Sequence, residues 1–321
     1  MFGYVSVAQL AADIRENIHR IPSDIDLVVG VPRSGMIPSY LIGLYLNRHV
    51  ADVETFLASR VLGHGHTRPV GVALENFSAA RHILIVDDSV SSGGSMRRTC
   101  ERIHASGYVG KITRCAAIVA PGKRADIDLW FRELAHPRAF EWNVFHHPDI
   151  YKSCFDLDGV LCVDPTEDVN DDGPKYREFI CNAVPLHKPT GKIGHIVSAR
   201  LEKYRSVTED WLLRNGISYG TLHLMDLPSK EERVRAGNHS KHKADFYKAV
   251  DSFLFFESDQ NQAEEIANLS GKPVLCVGTM SLHLPGMTSM AAAVRYTRWL
   301  TRAPVLNLRD WLRHAMQRKV R

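Results

Sequence analysis

The chain has 321 residues, 45% of them hydrophobic, and a formal net charge of only +4. That length suits about two domains of roughly 150 residues each, with apolar content ample for packed cores. So small a charge excludes the strongly basic balance of a general nucleic-acid binder, and no nucleic-acid partner is expected. No apolar run approaches the ~18 residues of a membrane span. The N-terminal stretch "MFGYVSVAQLAADIRENIHR" lacks the basic start and apolar block of a secretory signal, so the expected location is the cytoplasm. Six cysteines are scattered without a CxxC pair, several in apolar runs, and read as reduced core thiols.

In chain order, Val7, Leu10, Ile14 and Ile18 recur at helical spacing over 5–20, and "DLVVGVP" (26–32) reads as a buried strand. "GMIPSYLIGLYLN" (35–47) predicts an apolar helix, and a strand is expected near 69–74. A short apolar strand over Ile83–Val86 precedes a helix at 95–106 and a strand at 112–120. Alternating strands and helices predict an α/β fold with a parallel sheet. The pattern restarts after "HHPDI" (146–150), which sets the expected boundary between domains 1–149 and 150–321. Strands are then predicted within "YKSCFDLDGVLC" (151–162), at 193–200, 219–226, 252–259 and 273–278, with a helix over 203–216 that Gly216 stops.

The stretch "ILIVDDSVSSGGSM" (83–96) carries the most chemistry in the first half. Asp87 and Asp88 follow a strand whose carboxyl end is where open α/β sheets bind ligands. The small residues after them can aim several backbone N–H groups into one concavity, an anion trap at a helix start. Carboxylates for hydroxyls and a loop for phosphate together ask for a phosphorylated sugar.

This stretch resembles the motif by which type I phosphoribosyltransferases bind phosphoribosyl pyrophosphate (PRPP). The resemblance implies that Asp87 and Asp88 bind the ribose hydroxyls and that Ser91, Ser92, Gly93, Gly94 and Ser95 hold the 5-phosphate. "GVPRSG" (30–35) stands where that family has its pyrophosphate loop, which implies Arg33, Ser34 and Gly35 as diphosphate contacts. Carboxylates would stabilise the positive charge left on the ribose as pyrophosphate departs, and Mg²⁺ would neutralise the leaving group. "ASRVLGHGHTRPVG" (58–71) takes the place of the family's mobile loop. "PRAFEWNVF" (137–145) takes the place of an aromatic segment over the acceptor, with Phe140 and Trp142 as candidates and plain packing as the other reading. One departure concerns the acceptor. Purine-type members carry a further aspartate in the motif; here that position is Ser91, as in orotate-type members, which also lack the acid.

"CFDLDGVLC" (154–162) resembles the first motif of haloacid dehalogenase-like (HAD) phosphatases. The resemblance implies Asp156 as nucleophile on phosphorus and Asp158 as the acid and base of the two half-reactions. Further motifs follow in order: Ser198 in "IVSAR", Lys243 in "SKHKADFY" with Lys241 as the second choice, and Glu257 and Asp259 in "FFESD". They imply a Mg²⁺ site of Asp156, Asp158, Glu257 and Asp259, with Ser198 and Lys243 on the phosphoryl group. "DPTEDVNDDGPKY" (164–176) reads as a polar loop or small cap. Two Rossmann-like domains with mainly parallel sheets are thus expected.

The tail 294–321 interleaves arginines with Trp299, Leu308 and Trp311. It reads first as a terminal helix with a solvated basic face, and second as a contact for a membrane surface or anionic partner. Joined on one chain, the two activities would ribosylate an acceptor: phosphoribose is added from PRPP, then the 5-phosphate is removed. That sum suits a glycan or lipid-linked glycan acceptor and resembles two-part systems of bacterial polysaccharide ribosylation. The alternatives are a nucleobase phosphoribosyltransferase joined to a nucleotidase, and a PRPP- or nucleotide-sensing regulator. Oligomeric state, a homo-oligomer included, is left open.

Overall fold

The computed structural model describes residues 2–60, 74–123 and 126–286. The chain forms two compact units, Met1–Trp142 and Asn143–Arg321. The strand expected near 69–74, most of the 58–71 loop and the basic tail lie outside the described residues.

In the first unit β1 (Gly3–Val5) leads into α1 (Val7–Asn17), followed by β2 (Leu27–Gly30), α2 (Met36–Leu46), β3 (His49–Asp52) and the short α3 (Val53–Leu57). Then come β4 (His82–Val90), α4 (Gly94–Ala105), β5 (Lys111–Val119), β6 (Leu129–Glu133) and β7 (Arg138–Phe140). The main sheet has the order β3-β2-β4-β5-β6 with every neighbour parallel, and β1 pairs with β7 in a separate ribbon. Strand residues alternate between two cores. Val28, Leu84, Val86, Cys115 and Ala117 pack with Leu10 and Ile14 of α1 and Ile42 of α2. Leu27, Val29, Ile83, Ile85 and Ala116 pack on the opposite side with Met96 and Ile103 of α4. Both sheet faces are covered, which is why these strands are almost wholly apolar.

The helices after β2 and β4 therefore lie on opposite faces, and the crevice between these strands is a topological switch point. The predicted strand 83–86 is longer than its apolar run: β4 continues through both aspartates to Val90. Pairing explains the difference. β2 accompanies β4 only as far as Val86, whereas β5 continues beside it to Val90. Asp87 and Asp88 thus stand on a strand whose β2 side has opened.

The second unit contains β8 (Ser153–Phe155), α5 (Pro174–Asn182), β9 (Ile193–Leu201), α6 (Arg205–Arg214), β10 (Tyr219–Met225), α7 (Lys230–Ala236) and α8 (His239–Ala249). It continues with β11 (Leu254–Glu257), α9 (Gln260–Ser270), β12 (Val274–Cys276) and β13 (Ser281–His283). Its sheet order is β10-β9-β8-β11-β12-β13, parallel except for the β12–β13 pair. Cys154, Val197, Phe255 and Val274 pack with Ala244 and Tyr247 of α8 and Ile266 of α9. A further cluster joins Tyr176 and Ile180 of α5 to Val207 of α6 and Met225. Each of β8, β9 and β11 ends near a residue singled out from the sequence: Asp156, Ser198 and Glu257.

Trp211 on α6 is fully buried, and its indole N–H donates to the Ala183 carbonyl at 2.9 Å. Trp211→Ala should destabilise the chain by about 3–5 kcal/mol, the usual cost of emptying a large aromatic site. Urea denaturation followed by far-ultraviolet circular dichroism measures it.

Candidate functional sites

In the first unit the two motifs read from the sequence meet. The loop 31–35 is tied to β4 where the Val31 N–H donates to the Val86 carbonyl at 2.9 Å. Gly35 then packs so tightly that a Cβ there would lie 2.5 Å from the Val31 carbonyl oxygen and 2.9 Å from that of Val86. Only glycine permits this approach. It brings Ser34 Oγ to 2.8 Å from Asp88 Oδ1, to which the hydroxyl donates. Arg33 is exposed at the loop's tip.

Asp87 and Asp88 are both buried. Asp87 Oδ1 accepts the Asp88 N–H at 3.0 Å, and Asp88 Oδ2 accepts the Trp142 indole N–H at 2.9 Å. Burial first, and then the charge of Asp88, pushes the Asp87 carboxyl up to about 8. The pair is therefore under-compensated, a state that hydroxyl donors or a cation would relieve. Ser91, Ser92 and Ser95 are exposed and Gly93 adopts φ +77, so the loop turns sharply into α4. Buried Met96 holds that helix down. Long α4 thus starts directly beyond the two carboxylates, with Gly94 and Ser95 in its first turn.

Beside the candidates Phe140 and Trp142, the segment after β6 contributes His136 and Arg138, which the sequence did not single out. Ser91 Oγ meets His136 Nε2 at 2.9 Å. Buried Arg138 donates to the Leu134 carbonyl at 2.8 Å and the Val90 carbonyl at 3.4 Å, and burial pushes its guanidinium down while Asp88 opposes the shift. Phe140 is buried and stacks on Trp142 with ring centres 4.8 Å apart.

Residues 3–148 match the model of the phosphoribosyl transferase domain. The N-terminal region is a phosphoribosyl transferase domain. Its fold resembles a purine phosphoribosyltransferase from Pyrococcus horikoshii at 18% identity, over 44% of this chain and 93% of that one, with a TM-score of 0.33. A xanthine-guanine-hypoxanthine phosphoribosyltransferase from Helicobacter pylori matches at 16% identity over 45% and 95% of the two chains, with a TM-score of 0.34. An orotate phosphoribosyltransferase from Aeropyrum pernix matches at 17% over 39% and 69%, with a TM-score of 0.25. No curated protein matches the chain.

In the second unit, Asp156, Lys243 and Glu257 converge. The buried Lys243 ammonium lies 2.6 Å from Asp156 Oδ2, 2.7 Å from Glu257 Oε2 and 3.1 Å from Gln262 Oε1. Lys241, one face away on α8, is exposed and pairs with Asp245. Burial pushes Asp156 up to about 7 against the pull of Lys243, with Glu257 and Asp158 adding to the rise. The two carboxylates in turn hold the Lys243 ammonium above its ordinary range despite burial. The free oxygens of these acids are orientated by the main chain: Asp156 Oδ1 accepts the Leu157 N–H, and Glu257 Oε1 accepts those of Ser258 and Asp259.

Asp158 is gripped by a residue missed in the sequence. Arg200 donates from Nη2 to Asp158 Oδ1 at 2.6 Å and from Nε to Oδ2 at 3.0 Å. The arginine is almost wholly buried, and this bidentate pair raises its already high basicity. Ser198 is buried two residues before it and accepts the Arg200 N–H at 3.3 Å. Gly159, at φ +74, lets this loop pass Ser258: a Cβ there would lie 2.2 Å from the serine hydroxyl. Asp259 caps α9 through the Gln262 N–H at 2.8 Å.

All of these acids border a cavity of about 360 Å³ that also takes in Asp164, Tyr176, Arg233 and His239. Five carboxylates (Asp156, Asp158, Asp164, Glu257, Asp259) face three fixed cations (Arg200, Arg233, Lys243). The excess of negative charge shows in Asp164, pushed up by burial and then by Asp158 and Glu257.

Asp87 provides a test of sign. Its folded-state value of about 8 lies above the roughly 3.9 of an unfolded aspartate. Between those values the unfolded chain releases the proton first, so this group makes stability fall as pH rises from about 4 to 8. Asp87→Asn should therefore raise stability at pH 8 by about 1–3 kcal/mol, the scale of an unrelieved buried polar group, with little gain at pH 4. Thermal melts at the two pH values check this.

Proposed function

We propose that the chain is a bifunctional enzyme. The first unit transfers phosphoribose from PRPP to a glycan hydroxyl, and the second removes the 5-phosphate to leave ribofuranose. The observation that carries this reading is the presence on one chain of two separate buried acid clusters at strand ends. One adjoins an anion-binding loop in a phosphoribosyl transferase domain, and the other is built around a buried lysine.

In the first unit Asp87 and Asp88 accept hydrogen bonds from the ribose hydroxyls, which relieves their mutual repulsion. The backbone N–H groups of the loop Ser91–Ser95, the hydroxyls of Ser92 and Ser95 and the start of α4 hold the 5-phosphate, while the Ser91 hydroxyl turns to His136. Arg33, Ser34 and Gly35 face the diphosphate. The charge that builds on the ribose as the C1–O bond breaks lies beside two carboxylates, which favour it electrostatically.

In the second unit Asp156 attacks phosphorus and Asp158, held in orientation by Arg200, transfers the proton to the leaving oxygen. Ser198 and Lys243 bind the phosphoryl oxygens. Hard carboxylate oxygens in a cavity with excess negative charge fit a magnesium ion. Among the described residues no three acidic, histidine or cysteine side chains converge as a metal cage. Mg²⁺ needs none, because it keeps waters and binds through one or two carboxylates plus substrate phosphate. Asp156 and Glu257 would hold it, with Asp158 and Asp259 at its margin, and it would lower the repulsion between nucleophile and phosphate.

Removal of the 5-phosphate would defeat nucleotide salvage but completes a ribosyl glycan. That coupling supports a glycan or lipid-linked acceptor over a nucleobase. The second reading, a nucleobase phosphoribosyltransferase joined to a nucleotidase, draws support from the flat Phe140–Trp142 stack beside Asp88. Mass spectrometry of acceptors incubated with PRPP and Mg²⁺ separates them. Asp156→Asn should yield a phosphoribosylated glycan and the wild type the plain ribosyl product; products from purines or pyrimidines alone would reject the glycan reading.

Arg200→Ala frees Asp158 from its clamp. Hydrolysis of ribose 5-phosphate should fall about 100-fold, the scale of a misplaced catalytic group, while pyrophosphate release from PRPP keeps its rate. Separate phosphate and pyrophosphate assays read the two.

A further inference from the structure

Ser91 and His136 are 45 residues apart in the chain, and their side chains meet at 2.9 Å. Ser91 directly follows Val90, the last residue of β4, three positions beyond Asp88. His136 lies in the β6–β7 connection. The same segment is fastened to the end of β4 twice more: Arg138 donates to the Val90 carbonyl, and Trp142 donates to Asp88. The chain that follows His136 is therefore anchored to the end of β4, which holds the imidazole beside Ser91. Ser91 and His136 are nevertheless exposed, so an acceptor can reach them.

The contact has the polarity of a base and its relay. In the tautomer with the proton on Nδ1, His136 Nε2 accepts the Ser91 hydroxyl proton. The Ser91 oxygen then keeps lone pairs for an incoming O–H. Partial burial, and then the nearby Arg138 charge, hold the imidazole below its ordinary value, so the neutral base prevails at pH 7.

We propose that Ser91 and His136 form the proton relay for phosphoribosyl transfer in the first unit, and that they serve a hydroxyl acceptor. The proposal rests on the phosphoribosyltransferase reading and adds the group that takes the acceptor's proton. The acceptor oxygen bonds to C1 of PRPP as the C1–O bond to pyrophosphate breaks, and the electron pair of that bond leaves with pyrophosphate. The acceptor's proton passes to Ser91 Oγ, and the Ser91 proton passes to His136 Nε2. The imidazolium returns its proton to water before the next turnover. A sugar hydroxyl needs this service because it is a poor nucleophile until its proton is drawn away.

The experiment uses the full chain with PRPP and Mg²⁺, and methyl α-D-glucopyranoside, methyl β-D-galactopyranoside and glycerol as hydroxyl probes. Calorimetry measures PRPP binding and a coupled assay measures pyrophosphate release. His136→Ala should bind PRPP with affinity within about twofold of wild type and release pyrophosphate at least about 100-fold more slowly, as loss of a general base predicts. Added imidazole should restore part of the rate. His136→Gln can still hydrogen-bond Ser91 but cannot take a proton, and should be as slow as His136→Ala. Ser91→Ala should also be slow.

Full rates in His136→Ala or His136→Gln with PRPP bound would overturn the relay. So would turnover confined to adenine, guanine or orotate, or PRPP binding by the wild type with no release to any hydroxyl probe. Failure of the wild type to bind PRPP would instead overturn the underlying reading of the first unit.

Discussion

Two adjacent carboxylates buried at the opened end of a parallel strand are the constraint around which the first unit is arranged. β2 leaves β4 at Val86, so Asp87 and Asp88 lose a neighbouring strand at the point where they acquire charge. Burial and mutual repulsion make them costly without donors. The fold supplies two neutral ones to Asp88, the Ser34 hydroxyl and the Trp142 indole, and Asp87 accepts the main-chain N–H of Asp88. The site is thus built for polar ligand groups and remains strained electrostatically until they arrive.

The second unit answers the same problem differently. Its acids are buried as deeply, but a lysine from α8 enters between Asp156 and Glu257, and an arginine from β9 takes both oxygens of Asp158. Breaking either pair would leave an uncompensated buried charge, a loss of several kcal/mol. Charge pairing here fixes the direction of each carboxylate while the surrounding cavity keeps an acidic excess. A neutral-donor site suits a hydroxylated sugar, and a lysine-centred site suits a phosphoryl group, whose charge grows in the transition state.

The proposed order of chemistry draws on these two environments. Under the proposed function the first product would carry a phosphate for the lysine-centred cluster to remove, and its loss would take away the anchor for rebinding in the first unit. Transfer followed by hydrolysis would then be driven forward without any further energy source.

The alternation of apolar strands and helices, the parallel architecture and the contiguous loops were legible in the chain, because strand period, small-residue turns and paired acids are local properties. "ILIVDDSVSSGGSM" and "CFDLDGVLC" each hold strand, acids and turn within a few residues. The sequence could not say where β4 ended, since that depends on how far β2 and β5 accompany it, nor show β3 and β7, whose short segments carry little pattern. It also left Lys241 and Lys243 as rivals; packing alone buried one against two carboxylates and left the other on the surface. Arg200 and His136 were missed, and the bond from Trp142 to Asp88 was not foreseen, for the same reason: the partners lie 42, 45 and 54 residues away. No spacing rule links residues so distant, and only the closing of the sheets brings them within hydrogen-bond reach.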